Sequence, residues 1–471
     1  MNVFVHTALA LALSIVSFTS VAAQETVTGT ALPRATLTEL ALLPMREPAA
    51  RDFEHRSLIP SFRTFVAEVQ NTGFESTAAT IAPPPVALKF DSSTSRVLSP
   101  ADASGAVGKN HVVGAYNSGV TVHDRAGNKA ATLTLQQFWA GVTTTQGDIY
   151  DPRIVYDSVA DRFVLTSIHN GQFILLGFTE TGDPTGAWRR YRITANGVDF
   201  SQLAVTKDTV MFGTNVEPFS VIYLIQKEAL YAGPANPTFG KMQVTAESDL
   251  LPVGSEDSTI DYVVMGSGSQ ILVNRLDTPS QPFRVITSPT TWLDPNWQLP
   301  QLNGGPLDAG WGVIASAVER NGFIYVAMTR TAPGATRQSI VWCRFDPVTL
   351  VSEWGSISDP SGEFAYAYPS VAVNRTGAML IGFGKFSPNR YPSSAYIYRD
   401  ILGRISTVAD LHLGESAFTA SERWGDYTTT LVDPVNPNTF WTVQIHAKES
   451  AWHSAWGRID VDQGRRRAAR H

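Results

Sequence analysis

Carboxylate and aromatic side chains recur along this 471-residue chain just ahead of short apolar runs: Asp102, Asp148 with Asp151, Asp199, Asp261, Trp311, Tyr368, and Arg423 with Trp424 and Asp426. Such residues suit sugar chemistry. A pair of carboxyls held roughly 5–9.5 Å apart can act as acid and base on a glycosidic bond. Carboxylates also accept hydrogen bonds from hydroxyls while aromatic faces stack on pyranose rings. The Gly-Asp pairs Gly147-Asp148 and Gly425-Asp426, with Asp151 close by, make Asp148, Asp151 and Asp426 the candidate catalytic acids. Asp102, Asp199, Asp261, Trp311, Tyr368, Arg423 and Trp424 are the candidate ligand-binding residues.

Each candidate competes with a plainer role. Asp beside Gly, Ser or Pro ordinarily accepts backbone N–H bonds in a tight turn, and Asp157, Asp161, Asp183, Asp359 and Asp433 read that way. Clustered Asp could hold Ca2+, although the one-three-five spacing of a loop site is missing; no other cofactor is expected. His111, His169 and His446 lie far apart, and none shows a zinc spacing, so no metal ligands are assigned. No Gly-x-Ser-x-Gly elbow presents a nucleophile. Cys343, the single cysteine, falls in the strand-like Ile340-Val341-Trp342-Cys343-Arg344-Phe345 and reads as a buried, inert thiol.

The elements that would position these residues are strands. From about residue 87 onward, runs of four to eight apolar or β-branched residues alternate with Gly, Asn, Asp and Pro, and long amphipathic helical stretches are nearly absent. Seven units recur, opening at Asp102, Asp151, Asp199, Asp261, Trp311, Tyr368 and Asp426. Their spacing fits one four-stranded blade plus loops and is too long for a β-helix coil. The expected fold is all-β: a β-propeller of about seven four-stranded blades, with six or eight also compatible, preceded by an irregular N-terminal arm. Radial closure would gather the opening residues at one mouth of the channel, and Val86-Ala87-Leu88-Lys89-Phe90 is the expected closing strand.

Residues 1–23 have the layout of a signal peptide, with a short apolar core from Ala8 to Phe18 and small residues at Val21 and Ala23. That core falls short of the roughly 20 residues that span a bilayer. The expected division is a signal peptide at 1–23, an irregular Pro-containing arm at 24–85, the propeller at 86–462 and a disordered basic tail at 463–471. Secreted, periplasmic or cell-surface placement follows, as a monomer with no membrane span. Net charge is −6, and the basic cluster Arg465, Arg466, Arg467 and Arg470 is confined to the C-terminus. An acidic body argues against nucleic acid as a partner.

Several segments resemble a family of bacterial exported proteins, the sialidase-type (BNR-like) repeat β-propellers. They include Ser99-Pro100-Ala101-Asp102 through Val112, Gly147-Asp148-Ile149-Tyr150-Asp151-Pro152 through Phe163, Gly182-Asp183-Pro184-Thr185-Gly186-Ala187-Trp188, and Arg423-Trp424-Gly425-Asp426-Tyr427. The resemblance implies the propeller over most of 87–460 and transfers no catalytic residues. Sialidase activity does not follow from it, since a fold does not fix chemistry. The expected function is a glycan-active hydrolase or lyase working with channel-mouth carboxylates on extracellular polysaccharide or glycoprotein. The alternative is a non-catalytic extracellular scaffold that binds glycan or protein.

Overall fold

The computed structural model describes residues 25–43, 51–52, 73–75, 80–141, 147–216, 219–245, 249–278, 283–295, 298–310 and 312–461. The expected signal peptide, the basic tail and Trp311 lie outside them. Strands that matter below are β1 (Glu25–Ala31) and β2 (Val86–Ser95), followed by the successive innermost strands β3 (Ser104–Val107), β4 (Ile149–Asp157), β5 (Val198–Val205), β6 (Leu251–Pro252), β7 (Ile314–Arg320) and β8 (Ala365–Val373). Beyond these come β9 (Ala409–His412) on the outside of the sixth unit, then β10 (Thr429–Val432), β11 (Thr439–Lys448) and β12 (Ala451–Asp460) of the seventh.

Among the described residues the strands form seven four-stranded antiparallel units. Their innermost strands β3, β4, β5, β6, β7, β8 and β10 pack side by side, and β10 returns to β3. This closed ring is a β-propeller. Each blade is covered on both faces by its neighbours, so central strands read as continuous apolar runs instead of alternating ones; every residue of β8 is buried. The apolar clusters sit between adjacent blades. Leu165 and Trp188 of the second blade pack with Val113 and Val122 of the first, and Ile340 and Trp342 of the fifth with Ile381 and Phe383 of the sixth. Cys343 is one of these core residues, and burial pushes its thiol pKa well up.

The last blade has only three strands of its own. β2 completes it, running antiparallel to β12 with Phe90 opposite Trp456 and Leu88 opposite Arg458. The expected closing strand is therefore the observed one. The arm departs from expectation in being more regular. β1 lies between the outer strands of the second and third blades, pairing Gly29 with Ile193 on one side and Thr26 with Gly240 on the other. Two short segments, Gly73–Glu75 and Thr80–Ile81, add parallel to the outer edges of the fifth and sixth blades. Backbone pairing to a blade edge needs no apolar period, so these strands leave no mark in the side-chain pattern.

Four of the five turn aspartates behave as expected; Asp161 instead accepts from side chains, the Tyr156 hydroxyl and Lys109 Nζ at 2.9 Å. Asp157 accepts from the N–H groups of Val159 and Ala160, Asp183 from that of Thr185, Asp359 from those of Ser361, Glu363 and Phe364, and Asp433 from those of Val435 and Asn436.

Candidate functional site

Five blades open on a residue in the left-handed region at the start of the innermost strand: Asp102 (φ 49°), Asp151 (φ 51°), Phe200 (φ 55°), Gly312 (φ 67°) and Tyr368 (φ 57°). In three of them the ladder register slips at that point, between Tyr150 and Arg153, Asp199 and Gln202, and Ala367 and Ser370. A bulge of this kind bends its strand and re-aims the bulged side chain. Asp is among the few non-glycine residues that adopt this conformation readily.

Asp102, Asp151 and Asp426 meet at this end of the channel, one carboxylate oxygen of each lying within 4.8 Å of the others. Asn117 pins two of them. Its Nδ2 donates to Asp102 Oδ2 at 2.7 Å and to the Pro100 carbonyl at 3.0 Å, while its Oδ1 accepts the Asp151 N–H at 2.9 Å. The Asp426 N–H donates to Asp102 Oδ1 at 2.8 Å. Asp102 is wholly buried, and burial, reinforced by the charges of Asp426 and Asp151, pushes its carboxyl pKa well up. Arg423 forms the outer tie: Nη2 donates to Asp426 at 2.7 and 3.0 Å, and Nε lies 2.7 Å from Asp308 Oδ2. The Tyr368 hydroxyl donates to the Asp308 carbonyl at 2.8 Å and to its Oδ1. Burial outweighs the pull of Arg423 at Asp308 and raises its pKa to about 6.

Aromatic residues close the channel at this end. The Arg153 guanidinium lies 3.2 Å from the Tyr427 ring centroid and 5.5 Å from that of Phe200, and Arg153 Nε donates to the Ser201 carbonyl at 2.9 Å. The Tyr427 hydroxyl donates to the Pro152 carbonyl at 3.0 Å. Tyr427, Phe200 and Tyr368 are all buried. Past this plug lies a channel cavity of about 260 Å³, lined by residues of all seven innermost strands. Arg153 and Gln202 sit at its inner end, and its walls include Val155, Leu203, Val205, Ala317 and Val318. At the far rim Arg320 bridges Glu256 at 3.1 Å and Asp257 at 3.0 Å. Arg153 Nη2 and Gln202 Nε2 are buried donors with no hydrogen-bond partner.

The structure thus gathers Asp102, Asp151, Asp426, Arg423 and Tyr368 and leaves other candidates outside the cluster. Asp148 and Asp199 are half-buried near it; the Asp148 N–H donates to Asn170 Oδ1 at 2.7 Å, and the Asp199 carbonyl accepts from Thr214 Oγ1 at 2.8 Å. Asp261 belongs elsewhere. The fourth blade's innermost strand is β6, paired with the Tyr262–Ser267 strand that Asp261 precedes, so Asp261 lies at the opposite end of the channel, bonded to Thr206 Oγ1 at 2.7 Å. A two-residue strand ending in Pro252 is too short to show a period. Trp424 is no stacking platform: it is 1% exposed and packs edge-on against Phe386 and Phe418.

Sequence reasoning passed over Asn117, Arg153, Asp308 and Tyr427. Two of these carried a signal, since Arg153 follows Asp151-Pro152 and Tyr427 closes Arg423-Trp424-Gly425-Asp426-Tyr427. Asn117 and Asp308 stand in turn-like contexts with none.

Chemically, the three-carboxylate cluster is a lock. Both Asp102 oxygens are taken by N–H donors and both Asp426 oxygens by Arg423. Ca2+ needs six to eight oxygen ligands, which this committed set does not offer. A sugar could not reach a carboxyl as deeply buried as Asp102.

No protein-family model and no curated protein matches this sequence. Structurally the chain is similar to apo AztD from Citrobacter koseri (12% identity, 66% of this chain and 73% of that one, TM-score 0.31). It is also similar to the SapL1 lectin in complex with alpha methyl fucoside (8%, 67% and 96%, TM-score 0.38). A third is the exo-beta-1,3-galactanase from Phanerochaete chrysosporium (10%, 69% and 69%, TM-score 0.32). At such scores and identities the fold assignment rests on the chain's own strand topology. No helix among the described residues is long and apolar enough to cross a membrane.

Proposed function

We propose that this chain is an exported, non-catalytic binding protein that takes an acceptor-bearing ligand, a peptide end or acidic loop of a partner protein, in the open part of its channel. One observation carries this reading: Arg153 and Gln202 stand at the inner end of a cavity whose walls are otherwise largely aliphatic. A cationic and an amide side chain at the base of a concave site suit a carboxylate or carbonyl end. The aliphatic walls favour a peptide over a pyranose, which prefers aromatic faces; among the lining residues only Tyr156 is aromatic. Export is inferred from the signal-peptide layout at the N-terminus.

The test is a parallel peptide and glycan array, with mass spectrometry for reaction products. Saturable peptide binding without product is expected, weakened at least tenfold in Arg153→Met and in Gln202→Leu, with circular dichroism at the assay temperature checking that both variants are folded. Binding that survives in both variants would overturn the channel as the site, and binding to glycans alone would overturn the peptide assignment.

A glycan-active enzyme stays as a second reading because of one feature: Asp308, part-exposed and raised to about 6, shares Arg423 with Asp426. Two carboxyls in unequal surroundings can divide acid and base roles. That reading moves the catalytic assignment from Asp148 and Asp151 to Asp308 and Asp426. Polysaccharide turnover abolished in Asp308→Asn would support it, and no product from any substrate would end it.

A further inference from the structure

We propose that Asp91, His412 and His446 form a transition-metal site, best suited to Zn2+, that ties the ring-closing strand to the sixth and seventh blades. The three residues come from distant parts of the chain: Asp91 from β2, His412 from the end of β9, and His446 from β11. One potential ligand atom of each lies within 4.8 Å of the others, and His412 Nε2 is 3.8 Å from Asp91 Oδ1. The imidazoles of His412 and His446 are stacked, with centroids 3.6 Å apart and planes at 12°. His453, the cross-strand neighbour of His446 on β12, stands 5.7 Å from it and is near enough to Asp91 to feel its charge.

His446 is the observation that points to a ligand. It is completely buried, yet neither ring nitrogen has a hydrogen-bond partner. An unsatisfied buried polar atom costs about 1–3 kcal/mol, and a metal ion satisfies one without a proton.

His412 supplies a second feature. Its Nδ1 contacts the Leu413 carbonyl at 2.9 Å, and since a carbonyl can only accept, Nδ1 carries the proton. This is the outer bond that metal-binding histidines use to fix their tautomer, and it leaves the Nε2 lone pair on the side of Asp91. Two imidazoles and a carboxylate select Zn2+ and its first-row neighbours over Ca2+ or Mg2+.

Ligands on tetrahedral Zn2+ sit about 3.3 Å apart at the usual bond lengths. Loading would therefore draw the three groups together and open the imidazole stack. The expectation that no metal ligands are present rested on sequence spacing, and these residues share none; only ring closure brings Asp91 to the two histidines.

The test uses the full chain, stripped with chelator and titrated with Zn2+ by calorimetry, and with Co2+ by visible absorption. One metal per chain is expected, together with a rise of several degrees in melting temperature. His412→Ala and Asp91→Ala, at part-exposed positions that should tolerate truncation, should each weaken binding at least tenfold and abolish the rise. His446→Gln should remove the Co2+ bands. Wild-type affinity in His412→Ala, no binding at millimolar Zn2+, or an equal thermal shift with Mg2+ would each overturn the site.

Discussion

Asp308→Asn tests the electrostatic account of the carboxylate cluster most directly. Asp308 binds its proton more tightly folded than unfolded, so it contributes stability at low pH that is lost as pH rises through about 6. The difference between about 6 and the ordinary 3.8 corresponds to about 3 kcal/mol. The side chain is 23% exposed, so solvent screening leaves most of that figure in place. Asparagine keeps the shape and removes the titration. Denaturant unfolding of both proteins at pH 4 and pH 7.5 isolates the effect, because any pH-independent cost of losing the Arg423 contact cancels in the difference. Relative to wild type, the variant should gain about 2.4 kcal/mol between the two pH values, the remainder of the difference lying below pH 4. Parallel profiles would mean that Asp308 is solvated like an ordinary carboxylate, and would also remove the second functional reading. A slope of opposite sign would make Asp308 a plain salt-bridge acid whose pKa Arg423 has lowered.

Deleting the chain through Ser95 removes β2 and strips the partner from β12, exposing the faces that Leu88 and Phe90 now cover; the product should be insoluble, and a soluble fragment with a cooperative melt would refute closure by β2. Gly105→Ala would place a methyl 2.4 Å from the Trp456 ring at the junction of the first and seventh blades. Overpacking of this kind costs about 1–3 kcal/mol, so the melting temperature should fall measurably, and an unchanged melt would show that the junction can yield.

The blade strands were legible because each is sandwiched between neighbours, which forces nearly unbroken apolar runs such as Ala365–Val373 and Met379–Ser387. The closing strand was legible for a related reason: its last-blade partner buries Leu88 and Phe90 on one face, so Val86–Ser95 alternates. β1 was not. Its sequence Glu-Thr-Val-Thr-Gly-Thr-Ala seats only Val27 against an apolar cluster, and the rest of its contribution is a backbone ladder on either side, to which every residue type contributes alike. The fourth blade misled for want of length, β6 being too short to announce itself beside the fuller strand after Asp261.

Which end of the channel is open could not be read from the opening residues, because those residues are what closes it. Asp102 and Asp151 were recognisable as repeated acids at strand starts, and the bulge conformation explains their type, since each needs a positive φ that Asp tolerates. The same bulge holds Phe200 and Tyr368. In sequence Tyr368 looks like a platform, and in the ring both are packed away with Tyr427 while Arg153 lies across the Tyr427 face. A ring of acids next to aromatics therefore signals a binding mouth only if something keeps the aromatics apart. Seven strands converging on one axis press them together, and the lining of the channel passes to the side chains two positions further along each strand, Arg153 after Asp151 and Gln202 after Phe200.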